Sequence, residues 1–191
     1  VTDNNVEKHY CEDCIRELEG SYAEVSVHVI RAGELNKSLD TVKDIYRKLI
    51  ELKADRNSVL VALGGGVTGD ITGFAAATYM RGIHFVQIPT SLMAQADSSI
   101  GGKTGVDFEG CKNMIGAFYQ PSVVYINVNT LRTLPNREMK SGMAEVIKHG
   151  LIRDSDFYEY IDSNVDKIFS FDENTLAYVT KMNCTIEGDV V

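Results

Sequence analysis

Proline is scarce, with three in 191 residues (Pro89, Pro121, Pro135), and no low-complexity stretch accompanies them, so no segment reads as a flexible linker. Cysteine is scarce too. Four in a chain with 44% hydrophobic residues are too few for a disulfide-stapled miniature, and the chain is large enough to bury a core without staples. Cys11 and Cys14 form a C-x-x-C with His9 two residues ahead, but Cys111 and Cys184 are isolated. No second pair completes a zinc ribbon, and incidental thiols are the simpler reading. Positive charge is in deficit: 19 Lys+Arg against 27 Asp+Glu leave −8, so a polyphosphate duplex is repelled on average and nucleic acid is not an expected partner. No apolar run approaches the ~20 residues that cross a bilayer, and no basic-then-apolar leader opens the chain. The expectation is a soluble, cytoplasmic protein with no membrane partner. An initiator Met is also missing. The chain opens on Val1 and stops on Asp189-Val190-Val191, which reads as a piece of a longer chain.

What is present has the order of an α/β protein. Residues 24–30 alternate apolar and polar at period two, the pattern of a strand. Ser38 or Asp40 then caps a helix expected through about Lys53, with Val42, Ile45, Leu49 and Leu52 at helical spacing. Ser58–Leu63 is a continuous apolar run entering a glycine cluster. Strand, helix, strand implies a parallel unit with a right-handed crossover. Asp70–Tyr79, rich in small residues, suits a helix lying close to a sheet, and His84–Ile88 and Ser122–Ile126 are further runs of strand length. From about Arg137, Met143, Ile147, Leu151, Phe157, Tyr160, Ile161, Ile168, Leu176, Val179 and Met182 mark successive amphipathic helices. The expected organisation is a Rossmann-like parallel-sheet part over 1–136, its first strand missing, followed by the beginning of a helical part over 137–191.

Three segments carry residues suited to chemistry. Gly64-Gly65-Gly66-Val67-Thr68-Gly69-Asp70 fits G-x-G-x-x-G between a strand and a helix. Glycine there lets backbone approach a pyrophosphate, and the helix start supplies N–H donors. The ribose-binding acid expected ~20 residues on is absent, so nucleotide binding and a merely tight turn both stand. Gly101-Gly102-Lys103-Thr104 resembles half a phosphate loop, but the G-x-x-x-x-G-K-T spacing fails. What remains is a turn able to hold an anion, with Lys112-Asn113 adding a cation and an amide nine residues on; a solvated loop is the alternative. Glu145, Lys148 and His149 share a helix face, as a surface ion pair or as part of a metal site that must recruit ligands from elsewhere.

Taken in order, Val1–Val6, Gly33–Ser38, Leu63–Asp70, Ala75–Gly82, Pro89–Leu92, Asp97–Thr104, Lys112–Gly116, Thr133–Pro135 and Gly142–Lys148 resemble the 3-dehydroquinate synthase family, whose wider fold group takes in sugar-phosphate cyclases and, more distantly, glycerol dehydrogenase. The resemblance runs the length of the chain. It implies NAD on the α/β part and a substrate and zinc (or cobalt) site completed by the helical part. By position it places Asp3, Asn5, Glu34 and Lys37 near the cofactor and Gly65, Gly66, Val67, Thr68, Gly69 and Asp70 at its pyrophosphate. Thr90, Ser91, Asp97, Thr130, Leu131, Arg132 and Thr133 line the rest, with Leu134 and Glu138 as weaker candidates. It sets Lys103, Lys112 and Asn113 between cofactor and substrate, brings Lys148 to the substrate, and lets Arg81 reach a substrate phosphate across a homodimer interface. Glu145 is the one zinc ligand it places here.

The chain departs from the family pattern in places. Ser91 stands for a second Thr, Cys111 for the glycine before Lys-Asn, and Glu187 for a substrate-binding lysine. The family's two zinc-binding histidines lie in a downstream segment that this chain does not reach; His9, His28, His84 and His149 do not occupy their place. The implied activity is a cyclising lyase acting on an anionic sugar phosphate, a seven-carbon keto-acid phosphate, in the shikimate pathway. NAD takes a hydride and returns it, phosphate leaves, the ring closes by an aldol step, and the substrate's own phosphate can act as base. Zinc there stabilises an alkoxide, and cations hold the carboxylate and phosphate. The piece alone is expected not to turn over. A related sugar-phosphate cyclase, an NAD-dependent polyol dehydrogenase and a non-catalytic NAD-binding module are the alternatives.

Overall fold

A computed structural model describes residues 1–21 and 24–189. Val190 and Val191, on which the sequence ends, lie outside the described residues. Strand β1 (Thr2–Asp3) leads through a single π-helical turn into α1 (Glu12–Glu19), and β2 (Val29–Ile30) precedes α2 (Leu39–Glu51). Helix α2 starts where the sequence places a cap, with Ser38 Oγ accepting from Thr41 N at 3.3 Å. It buries Val42, Ile45 and Leu49 while Leu52, beyond its end, is 42% exposed. Next come β3 (Val59–Gly64), α3 (Gly66–Thr78) and β4 (His84–Pro89). A hairpin of β5 (Lys103–Phe108) and β6 (Cys111–Phe118) precedes β7 (Val123–Val124). The main sheet has the order β2-β1-β3-β4-β7, with every neighbouring pair parallel. Its central strand β3, Val-Leu-Val-Ala-Leu-Gly, is flanked on both edges, which is why it is apolar throughout rather than alternating.

Two expectations change. Of the strand expected over 24–30, Val29–Ile30 is laddered with Thr2 and Asp3, and Thr2 N donates to His28 O. Where the sequence suggested a turn or a solvated loop at Gly101–Thr104, Lys103–Phe108 and Cys111–Phe118 form an antiparallel hairpin. Glu109 and Gly110 both have positive φ (48° and 81°), the backbone of a type I′ turn joining Phe108 to Cys111. Glu-Gly lacks the Asn-Gly signature by which such turns are found.

Helix α3 is reached closely from both sides because it is made of Gly, Ala and Thr. A Cβ on Gly73 would lie 2.5 Å from Thr104 Cγ2 on the hairpin and 3.1 Å from Phe85 Cζ on the sheet. Ile71, Phe74, Ala75, Phe85 and Val106 therefore share one core with Val42, Ile45 and Leu49. A second core gathers α4 (Asn136–Arg153), α5 (Ser155–Ser163), α6 (Val165–Phe169) and α7 (Glu173–Gly188) around Met139, Met143, Val146, Phe157 and Leu176. Leu92, Ala96 and Leu131, from before Pro135, belong to it as well. A Cβ on Gly142 would meet Leu92 Cβ at 2.7 Å, so α4 lies directly on the segment that follows β4. Leu151, placed by periodicity on the apolar face, is instead 65% exposed. Among the described residues no helix is long and apolar enough to cross a membrane.

Gly73→Ala is expected to destabilise the fold by ~1–3 kcal/mol through overpacking, whereas Gly110→Asn, at a φ that Asn adopts, costs under ~1 kcal/mol. Urea midpoints of the two variants check the contrast.

Candidate active site

The sheet reverses its order of growth between β1 and β3: β2 is added on one side of β1, then β3 on the other. Ligands of open parallel sheets bind beyond the carboxyl ends of the strands at such a switch point. The glycine turn sits there. Gly65 caps α3, and the N–H groups of the helix's first turn have no carbonyl to serve within it. Walls close in on this turn. A Cβ on Gly66 would lie 2.7 Å from Ser98 Oγ, one on Gly65 3.4 Å from Ser91 Oγ, and one on Gly64 2.6 Å from Thr68 Oγ1. The buried hydroxyls of Ser98 and Ser99 and the Gln87 side-chain oxygen have no hydrogen-bond partner among the described residues. A glycine cradle beside unpaired polar atoms at a helix start suits the pyrophosphate of a dinucleotide.

Asp3, at the end of β1, is buried and engaged: its Oδ1 accepts from Asn5 N at 2.9 Å and Val6 N at 3.2 Å, and its Oδ2 from Thr68 Oγ1 at 3.1 Å. It braces the turn, while Asn5 is exposed at the rim. Thr90 is buried with its N–H on Gly64 O at 2.9 Å. In the 3₁₀ segment Val128–Thr133, Leu131 is fully buried in the helical core and Thr130 Oγ1 takes the Gln95 amide at 3.1 Å. Thr133 and Arg132 are exposed, and Tyr10 Oη reaches Thr133 Oγ1 at 2.6 Å and Thr130 O at 2.9 Å.

A second group forms around Lys37, which is 5% exposed. Its ammonium lies 2.5 Å from Asp70 Oδ2 and donates to Asn113 Oδ1 at 2.5 Å. Asn113 stands at φ 52°, a conformation Asn adopts more readily than most residues, with Asp107 Oδ1 accepting from its N–H at 2.8 Å. Lys112 pairs with Glu34 at 3.1 Å on the exposed rim. Burial pushes the Asp70 carboxyl up to about 6 against the pull of Lys37, with Glu34 and Asp97 adding to the rise.

A third group spans the two cores. Asp97, next to the Ser98 that faces Gly66, lies 3.4 Å from Lys103 Nζ, and Glu187 of α7 lies 3.3 Å from the same ammonium. Glu187 Oε2 is 3.2 Å from His149 Nε2, which is 3.5 Å from Glu145 Oε1, and Glu145 in turn pairs with Lys148. A chain of contacts thus leads from the glycine turn by way of Asp97, Lys103 and the buried Glu187 and His149 to Glu145 and Lys148. Arg81 does not join it. It is exposed at φ 70° at the far end of α3, a helix of 13 residues that spans ~20 Å.

His149, Glu187 and Asp107 carry more of this site than their sequence context announces. Shared helical spacing links His149 to Glu145, but no local pattern links either to Glu187. As a metal centre the chain is incomplete: no three His, Cys, Asp or Glu side chains among the described residues are disposed to hold an ion, and His149 has its Nδ1 on Asn183 and its Nε2 between two carboxylates. Cys11 and Cys14 have thiols raised by burial, away from the glycine turn on the π turn and α1.

The parallel sheet with its glycine turn, joined to a helical layer through Lys103 and Glu187, defines an α/β chain of the sugar-phosphate cyclase fold. A 2-epi-5-epi-valiolone synthase from Streptomyces hygroscopicus, solved with NAD+ and Zn2+ bound, is 30% identical with a TM-score of 0.91 over 97% of this chain and 52% of its own. A 2-deoxy-scyllo-inosose synthase complexed with carbaglucose-6-phosphate, NAD+ and Co2+ is 28% identical with a TM-score of 0.81, over 98% and 52%. The family profile for the 3-dehydroquinate synthase N-terminal part matches residues 27–141, and that for the C-terminal part matches 142–191. The chain belongs to the 3-dehydroquinate synthase family. It is 63% identical over all of its residues to the 3-dehydroquinate synthase of Acetivibrio thermocellus and 62% to that of Ruminiclostridium cellulolyticum, covering 53% of each. The chain therefore spans about half the length of these relatives.

A ¹³C NMR titration of the Asp70 carboxyl is expected to show a midpoint of about 6, and Lys37→Met moves it higher by removing the cation that favours ionisation. The folded chain binds this proton more tightly than the unfolded one. The carboxyl therefore supports folding most below about pH 4 and loses that contribution as pH rises through about 6. A midpoint at the ordinary carboxylate value means that water reaches Asp70 freely.

Proposed function

We propose that this chain carries the dinucleotide cradle and part of the substrate site of a 3-dehydroquinate synthase, which converts 3-deoxy-D-arabino-heptulosonate 7-phosphate to 3-dehydroquinate with release of phosphate. Residues 1–136 form the NAD-binding part and residues 137–191 the beginning of the substrate and metal part. The observation that carries the reading is the chain of contacts that joins the glycine turn to Lys103 through Ser98 and Asp97, and Lys103 to Glu145 and Lys148 through Glu187 and His149. Two relatives above 60% identity over the whole chain bear the same activity in their names. The two cyclase structures of this fold hold NAD+ with zinc or cobalt.

In this reading the first turn of α3 and the Ser98 hydroxyl receive the pyrophosphate, and Thr90, Ser91 and Thr133 border the cofactor. When bound, NAD supplies a hydride acceptor that returns what it takes. The chain's own residues hold and orient the anionic substrate. On a chain of net charge −8 the cations must be gathered locally, and Lys103 and Lys148 are linked through Glu187, His149 and Glu145. Lys112, held by Glu34, and Asn113, fixed by Lys37 and Asp107, stand at the other end of the hairpin. Glu145 offers one carboxylate to a divalent metal, completed by side chains outside these 191 residues. Arg81, remote from its own site, serves the site of a second subunit in a homodimer.

In the full-length enzyme, phosphate release is expected to require NAD yet leave no net NADH; net NADH production with glycerol overturns the reading in favour of a polyol dehydrogenase. Lys148→Ala should lower kcat/KM by ~10–100-fold, the loss of a hydrogen bond from a charged group. Glu145→Ala should abolish metal-dependent turnover while NAD binding, followed by calorimetry, stays within ~2-fold. Retained turnover removes Glu145 from the site.

A further inference from the structure

Glu187 is a carboxylate that the proposed chemistry leaves unused. It is 8% exposed on the last turns of α7, and a charge so buried is costly unless it is paired. Both of its oxygens are engaged: Oε1 with Lys103 Nζ at 3.3 Å and Oε2 with His149 Nε2 at 3.2 Å. His149, 5% exposed, is itself anchored. Its Nδ1 lies 3.0 Å from Asn183 Oδ1, and the Asn183 amide donates to Ala96 O at 2.5 Å. A rigid strut therefore runs from the backbone at Ala96, one residue before Asp97, through Asn183 and His149 to Glu187. Lys103 is the most exposed member of this set, a long stem with three rotatable donors and a side chain 48% exposed.

We propose that Glu187 is a positioning residue which, braced by His149 and Asn183, acts with Asp97 to hold the Lys103 ammonium at the anion site beside the glycine turn. The two carboxylates come from elements far apart in sequence: Asp97 from the turn after β4 and Glu187 from α7. A flexible cation is thereby fixed by elements that meet only in the tertiary structure. Burial disfavours the charge on Lys103, but Asp97 and Glu187 outweigh it and keep the ammonium above the ordinary lysine range. Lys103 is thus both charged and placed before an anion arrives, so less ordering is left for the binding step.

The inference rests on the reading of Lys103 as an anion-holding residue, and a double-mutant cycle in the full-length enzyme separates the two. Lys103→Met, Glu187→Gln, Glu187→Asp and the Lys103→Met/Glu187→Gln pair are compared by kcat and KM for the keto-acid phosphate and by calorimetric Kd for NAD. Lys103→Met and Glu187→Gln are each expected to lower kcat/KM by ~10-fold or more. Glu187→Asp should recover part of that loss, and the double variant should be no worse than Lys103→Met alone. Losses that multiply in the double variant overturn the inference, as does a Glu187→Gln enzyme with wild-type constants beside an impaired Lys103→Met. A Lys103→Met enzyme with unchanged kcat, KM and Kd overturns the reading of Lys103 itself. Should Glu187→Gln not fold, the cycle is run with Glu187→Asp, whose smaller loss must likewise vanish in the Lys103→Met background.

Discussion

Helix α3 can be approached to within contact from three sides because glycine stands where those approaches occur. At Gly66 the backbone meets Ser98, at Gly69 the amide of Gln87, and at Gly73 both Thr104 and Phe85, with a Cβ built at any of them falling 2.5–3.2 Å from its neighbour. Protein interiors are close-packed and yield little, so these distances fix where the hairpin and the post-β4 segment lie. Thr104 is the neighbour of Lys103, and Ser98 is the neighbour of Asp97. The packing of α3 thus sets the two partners of the anion cluster before any charge interaction is considered.

Electrostatics then refine what packing has placed. The buried charges Lys37 and Glu187 each sit among opposite charges and polar groups drawn from other elements. An isolated buried charge would be prohibitive. Each group also ties parts of the chain far apart in sequence: Lys37 joins Asp70 on α3 to Asn113 on the hairpin, and Glu187 joins that hairpin to the helical layer. Loosening either pair changes the position of a residue assigned to cofactor or substrate, not only the stability of the fold. Structural and functional roles are difficult to separate at such positions, and a double-mutant comparison is the means of doing so.

The same architecture shows why the helical layer is needed. The sheet, α2 and α3 form a core of their own and present the glycine turn, but Lys148, Glu145 and Glu187 come from α4 and α7. Leu92, Ala96 and Leu131 bury themselves among those helices, and Gly142 lets α4 lie on Leu92. The glycine turn and the lysine and carboxylate cluster are therefore carried by two cores that interlock.

Much of this was readable without coordinates because it is local. Apolar spacing gave α2, and Ser38 marked its start; β3 and β4 showed as apolar runs; glycines between a strand and a helix located the turn. Lys103, Lys112 and Asn113 stood out by their neighbours, and motif order along the chain identified the family. Local patterns fell short where structure depends on a partner: a Glu-Gly turn closes a hairpin whose register its partner strand sets. The cluster at Glu187 could not be foreseen. Its contact with Lys103 joins residues 84 apart in sequence, and only the docking of α7 and α4 against the hairpin decides whether a buried carboxylate meets a cation or is left unpaired. The sequence by itself determined which surfaces are apolar and which turns are permitted, because those follow from covalent structure and hydration alone. The tertiary structure decided which charges face one another, because that depends on how separately formed elements come to rest together.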